Sequence, residues 1–157
     1  MLQTDAVSPK SRSGICYHSA QRRILEVAME KLSKSHEDYL EAIVMLGGAP
    51  DKPIRSVDVA NKLGVSKASV NKAITLLKEK GFLDQPYYGD ITLTEGGYEY
   101  AQAVYKRHRY LRGFLEKALG IDPEIAEDEA CIMEHAISDD SFEKWVAFID
   151  ENGFLKD

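Results

Sequence analysis

Residues 56–77, SVDVANKLGVSKASVNKAITLL, constrain the fold more than any other stretch of the chain. Val59, Ala60 and Leu63 fall on one side of a short helix that Ser56 is placed to cap. Val70, Ile74 and Leu77 fall on one side of a longer helix that Ser66 is placed to cap. Between them Gly64 permits a sharp turn, and Val65 is placed to plug the angle between the helices. The pattern is that of a helix-turn-helix. The outer N-terminal half of its second helix carries Ser66, Lys67, Ala68, Ser69, Asn71 and Lys72. Small residues there allow close approach to a DNA groove, asparagine can read a base edge, and lysine neutralises phosphate. A helical hairpin used only for packing would explain the apolar sides, but not the caps, the turn glycine and the polar outer face together.

Two short β-prone runs in residues 82–94 flank Tyr88-Gly89-Asp90, a hairpin turn signal. A hairpin directly after a recognition helix is the wing of a winged helix. Tyr87 and Tyr88 are placed to touch DNA from it, or to cover the core. Ahead of the helix-turn-helix, residues 33–46 predict a helix capped by Ser33 or Ser35, with Tyr39, Leu40, Ile43, Val44 and Leu46 on its buried face. Residues 19–32 have amphipathic spacing, and residues 1–14 read as a mobile tail. Beyond the wing, Thr94 is placed to cap a long helix over 95–119, Pro123 to start the next, and residues 138–141 to cap a last one. The expected class is mainly α with a small β-wing. Its three parts are an N-terminal tail and extra helix (1–32), a winged helix-turn-helix (33–96) and a helical metal-binding and dimerisation part (97–157). Phe142, Trp145, Val146 and Ile149 offer more apolar surface than a small acidic unit can bury alone, so they are expected at a homodimer interface.

The net charge of −6 argues at first against nucleic acid, but its distribution reverses that reading. Residues 1–113 hold 17 Lys and Arg against 13 Asp and Glu, whereas residues 114–157 hold 3 against 13. A basic front and an acidic back suit separate DNA-facing and cation-collecting parts. No apolar run approaches the roughly 18–20 residues of a membrane span. Two distant cysteines, Cys16 and Cys131, make a disulfide framework unlikely and a reducing cytoplasm the expected location.

The acidic back has its own chemistry. In a helix over 128–138, Cys131, Glu134 and His135 stand at i, i+3 and i+4 and point to one side. Glu127 lies one turn earlier. A thiolate, a carboxylate and an imidazole within one turn make a half-site for a divalent metal. Asp38 and Glu41 lie three apart on the first helix, so their carboxylates can act together. His108 stands in Lys106-Arg-His-Arg109 with Arg112 nearby, a run of cations in which an imidazole is expected to stay neutral, as a ligand nitrogen must be. An acidic surface helix with one buried cysteine, a solvated carboxylate pair and a structural histidine are the plain alternatives.

A winged helix, a long helix and then Glu129-Ala-Cys-Ile-Met-Glu-His-Ala-Ile-Ser138 together resemble the diphtheria-toxin-repressor family of metal-dependent repressors, and most closely its short manganese-transport regulators. The likeness covers about residues 35–149. It is most specific at His36-Glu-Asp-Tyr-Leu-Glu-Ala-Ile43, at Lys106-Arg-His-Arg109 and at Asp128-Glu-Ala-Cys-x-x-Glu-His135. The resemblance implies a homodimer that binds a palindromic operator when loaded with Mn²⁺, or alternatively Fe²⁺. It also implies a pocket of Asp38, Glu41, His108, Cys131, Glu134 and His135, with Glu127 a weaker candidate. Arg112 falls where the iron-type members carry a glutamate and cannot be a ligand. Asp38 matches the manganese regulators, whereas Cys131 matches the iron type. The expected activity is regulatory and not enzymatic. Two other classes compete: a winged-helix regulator gated by a small organic ligand, and a metallohydrolase, which would need a substrate cleft and an open coordination position.

Overall fold

A computed structural model describes residues 32–86 and 89–155; the helix expected ahead of Leu32 and the wing-tip Tyr87 and Tyr88 lie outside the described residues. Among those described, the chain forms α1 (Lys34–Met45), α2 (Ser56–Leu63), α3 (Lys67–Glu79), β1 (Leu83–Asp84), β2 (Thr92–Leu93) and α4 (Glu95–Gly113). The long helix runs on through a π-helical turn, Phe114–Ala118, and is followed by α5 (Pro123–Ala136) and α6 (Asp139–Asn152). No described helix is long and apolar enough to cross a membrane.

The helix-turn-helix forms where the sequence places it, with two local differences. Gly64 takes the left-handed conformation at φ 64°, as the turn demands. Ser66 caps α3 by accepting the Ser69 N–H at 3.1 Å. The cap position of α2, however, belongs to Arg55. Ser56 is already helical, and its hydroxyl accepts instead from the Gln85 amide at 3.1 Å. Nor does Val65 plug the angle, since it is 37 % exposed. Its backbone N–H, bonded to the Ala60 carbonyl at 3.1 Å, closes the turn without help from the side chain.

Inside this half, Leu40, Ile43, Val59, Val70, Leu77, Leu83, Ile91 and Tyr100 are fully buried. Each apolar side chain so buried contributes about 1.5–3 kcal/mol. Leu46, expected on the buried face of α1, is only partly covered. The wing strands pair antiparallel, Leu83 with Leu93 and Asp84 with Thr92. Ile54 and Ile91 exchange two backbone hydrogen bonds of 2.8 Å that extend the ribbon. Lys78, at the end of α3, reaches the wing by an ion pair to Asp84 and a hydrogen bond to the Gln85 carbonyl, both 2.8 Å.

The wing delivers the chain into α4. Thr94 caps it by accepting the Gly97 N–H at 3.0 Å, and its own hydroxyl donates to the Gly81 carbonyl at 2.8 Å. Gly97 packs directly on the backbone, because a Cβ there would stand 1.7 Å from the Phe82 carbonyl oxygen. Further along, Leu111 of α4 and Leu115 of the π-helical turn close a second core with Ala126 and Ala130 of α5, flanked by Met133, Ile137 and Trp145.

The last helix corrects the expected dimer residues in part. Ile149 is fully buried within the protomer and cannot face a partner. Of the same stripe, Trp145 packs against the second core. Phe142 lies 4.9 Å from the Arg107 guanidinium and meets Tyr110 edge-on at 6.1 Å, and Trp145 meets Phe114 at 4.8 Å. Phe142, Trp145 and Val146 are partly buried. The large apolar side chains left outward on this half are Leu119, Ile125, Ile132 and Phe148, each more than half exposed.

Candidate metal centre

Three helices bring the expected ligands together. Asp38 and Glu41 come from α1, His108 from α4, and Glu127, Cys131, Glu134 and His135 from α5. Donor atoms of Asp38, Cys131 and Glu134 all lie within 4.8 Å of one another, and so do those of Glu41, His108 and Glu134. Glu134 is common to both groups. A cavity of about 340 Å³ opens beside them, lined in part by Asp38, Glu41, His108, Glu127 and Cys131.

Two imidazoles are threaded between the carboxylates. Nδ1 of His108 is 3.1 Å from Glu134 and 3.6 Å from Glu41, and its Nε2 is 3.2 Å from Glu127. Nε2 of His135 is 3.0 Å from both Asp38 and Glu134, and its Nδ1 is 2.7 Å from Glu37. Arg112 pairs with Glu127 at 2.8 Å and with Glu116 at 2.6 Å, so a guanidinium caps the Glu127 edge of the cluster.

Burial and charge move these groups in opposite directions. Burial, reinforced by the Glu134 carboxylate, raises Glu41 to about 7. For His108 burial works the other way, but Glu134, Glu41 and Glu127 outweigh it and hold the ring up at about 9. His135 follows the same logic: Asp38, Glu134 and Glu37 overcome burial and hold it at about 11. Burial would raise Glu134, yet the two imidazoles bring it below its ordinary value. The Cys131 thiol is pushed up by burial and then by Glu134.

His108 therefore corrects an expectation. Its sequence neighbours are cations, but in space it faces Glu41, Glu127 and Glu134, which favour the charged ring over the neutral one. Successive residues of a helix point in different directions, so the charge of a segment is a poor guide to the charge around one side chain.

The residues present fit a divalent cation. Four buried atoms, Glu41 Oε1, His108 Nε2, Glu127 Oε2 and Glu134 Oε1, make no aligned hydrogen bond. Each has an oppositely charged neighbour at ion-pair distance, but none of those contacts has hydrogen-bond geometry. Buried polar atoms without such bonds are rare and costly unless a ligand uses them. Mixed oxygen, nitrogen and sulfur donors suit a first-row transition ion.

Three side chains of this region escape a reading of the sequence. Glu37 accepts from the Tyr100 hydroxyl at 2.5 Å and pairs with His135, joining positions 63 and 98 residues apart. Arg107 is buried; it donates to the Glu134 carbonyl at 3.1 Å, to the Ile137 carbonyl and to the Asp139 carboxylate. Nothing in their local spacing distinguishes them from surface charges. On the opposite half, Lys67, Ala68, Ser69, Asn71 and Lys72 are all exposed on the outer face of α3, and Ser66 is exposed at its cap.

Comparison with known proteins gives a consistent picture. Residues 31–90 match the N-terminal DNA-binding domain of the iron-dependent repressors, and residues 94–154 match their metal-binding and dimerisation domain. An uncharacterized HTH-type transcriptional regulator of Methanocaldococcus jannaschii is 36 % identical, over 76 % of this chain and 96 % of that protein. The transcriptional regulator MntR of Salmonella typhimurium is 35 % identical, over 74 % of this chain and 73 % of its own length. Among solved structures, a manganese-dependent transcriptional repressor in complex with manganese aligns with a TM-score of 0.62 and 32 % identity over 72 % of this chain. The alignment takes in 51 % of that solved chain, about half its length.

Proposed function

The chain belongs to the iron-dependent repressor family, and from that membership we propose that it is a transcriptional repressor of metal-ion homeostasis, binding a palindromic operator as a homodimer when loaded with Mn²⁺ in preference to Fe²⁺. One observation carries the reading. Buried donor atoms without aligned hydrogen bonds converge from three helices, and one of those helices packs against the helix-turn-helix.

On this reading Asp38, Glu41, His108, Cys131, Glu134 and His135 hold the metal, and Glu127, pinned by Arg112, closes the edge. A bound divalent cation supplies the positive charge that makes the three-helix arrangement of carboxylates favourable. The protein's own residues do the rest. α1 carries Asp38 and Glu41 on one side and packs on α2 and α3 with the other, so its seat against α4 and α5 sets where the recognition helix points. Residues 33–96 then form the DNA-reading half, and 97–157 the metal-binding and dimerising half. Exposed Leu119, Ile125, Ile132 and Phe148 supply apolar surface for pairing. Two recognition helices held about 34–36 Å apart fit successive major grooves. The effector acts only through its different affinities for the competent and incompetent arrangements.

The donor set favours Mn²⁺. Asp38, Glu41 and Glu134 are hard carboxylate ligands of the kind Mn²⁺ takes, and Cys131 is the one soft ligand beside them. The test is retention of fragmented source-genome DNA by the purified protein, with Mn²⁺ and then with a chelator. Fragments held only with Mn²⁺ support the reading and reveal the operator. Equal retention in both conditions overturns the metal gate, and no retention in either overturns the DNA-binding role.

A further inference from the structure

Resting on that metal-binding reading, we propose that Glu37 is a positioning residue for the metal centre: it fixes His135 through Nδ1 so that Nε2 is the nitrogen offered to the cation, and Tyr100 in turn fixes Glu37. The geometry is specific. Oε2 of Glu37 lies 2.7 Å from His135 Nδ1, and Oε1 accepts the Tyr100 hydroxyl at 2.5 Å. An ionised carboxylate only accepts hydrogen bonds, so Glu37 holds a hydrogen on Nδ1 and keeps that nitrogen from a cation. Nε2 faces carboxylates too, 3.0 Å from Asp38 Oδ1 and 3.0 Å from Glu134 Oε1, but those are candidate ligands, so a cation bound among them would meet Nε2 in place of its hydrogen.

Glu37 itself is not a ligand in this arrangement, because both its oxygens are engaged on the side of His135 away from Asp38 and Glu134. Tyr100 is 1 % exposed, and its ring packs 5.1 Å from that of Phe82. Its hydroxyl is thus held at a fixed place beneath Glu37. The relay runs across three helices, from α4 through α1 to α5, and ties the DNA-reading half to the metal helix by a route separate from the ion. Loss of a partner that orients a ligand histidine costs about 10–100-fold in metal affinity.

Two measurements on the full chain test this. The Mn²⁺ dissociation constant is read from the electron paramagnetic resonance of free Mn²⁺ for wild type, Glu37→Ala, Glu37→Gln and Tyr100→Phe. Histidine ¹⁵N spectra of the wild type loaded with diamagnetic Cd²⁺ report which His135 nitrogen bears hydrogen. Glu37→Ala should weaken Mn²⁺ binding by about 10–100-fold. Tyr100→Phe should weaken it less, and Glu37→Gln, which still accepts from Nδ1, should recover most of the loss. His135 should be protonated at Nδ1 and metal-bound at Nε2. Wild-type affinity in Glu37→Ala, or metal on Nδ1, overturns the positioning role and leaves the metal site standing. A wild type that binds neither ion overturns both. If Glu37→Ala does not fold, Tyr100→Phe, which keeps its ring on Phe82, decides the matter by the same affinity measurement.

Discussion

The two functional regions use polar side chains in opposite ways. On α3, Lys67, Ser69, Asn71 and Lys72 stand exposed. In the three-helix cluster, Glu41, His108 and Glu134 are 6, 3 and 3 % exposed and each is placed by charges from other helices. Exposed groups are presented at little cost and act one at a time. Buried ones must find partners, so their arrangement belongs to the set. Substitutions on the first face should therefore change DNA binding alone and nearly additively. Those in the cluster should change the switch as a whole.

The largest effect is expected at the joint between the regions. Gly97→Ala would press a Cβ into the Phe82 carbonyl and unseat α4 from the wing. It should cost on the order of 3 kcal/mol, a fall of about 10 °C in melting temperature, and weaken DNA and Mn²⁺ binding together. Preserved stability would mean that the close approach is not needed. Next comes His135→Ala, which should abolish Mn²⁺-dependent operator binding, by about 100-fold or more in fluorescence anisotropy, with circular dichroism unchanged. A normal response to Mn²⁺ would remove His135 from the pocket. Ile132→Glu places a charge on a side chain that is 63 % exposed in the protomer. It should raise the dimer dissociation constant about tenfold or more in sedimentation while sparing metal affinity. The smallest effect belongs to Lys72→Ala, which should weaken operator binding roughly tenfold or less and lower the salt slope by about one. If it also altered Mn²⁺ affinity, the separation of the two regions would fail.

How much of this was legible in the sequence follows the same division. The helix-turn-helix could be read because its signals are local: Gly64 at the turn, the Ser66 cap, and Val70, Ile74 and Leu77 on one side. It differs from the local pattern at two places: Arg55 takes the cap position and leaves the Ser56 hydroxyl to the distant Gln85 amide, and a backbone hydrogen bond closes the turn beside an exposed Val65. The candidate ligands were legible as spacing on α1 and α5, but their surroundings were not. His108 looked electropositive along the chain and is electronegative in space. Glu37, Tyr100 and Arg107 gave no signal, since each depends on a partner at least 27 residues away. Ile149 has the periodicity of an interface residue, but that periodicity does not say whether the surface it meets is a partner's or the protomer's own.

The buried Arg107 has a mechanical consequence. Its guanidinium grips the Glu134 and Ile137 carbonyls and the Asp139 carboxylate, so the corner between α5 and α6 is riveted to α4. Two of the candidate ligands, Glu134 and His135, therefore sit on a segment anchored at its far end, whereas Asp38 and Glu41 reach them from α1, which meets α5 through side-chain pairs such as Glu37 and Asp38 with His135. The cluster is built like a clasp, one half fixed to the frame by backbone carbonyls and the other held by side chains alone.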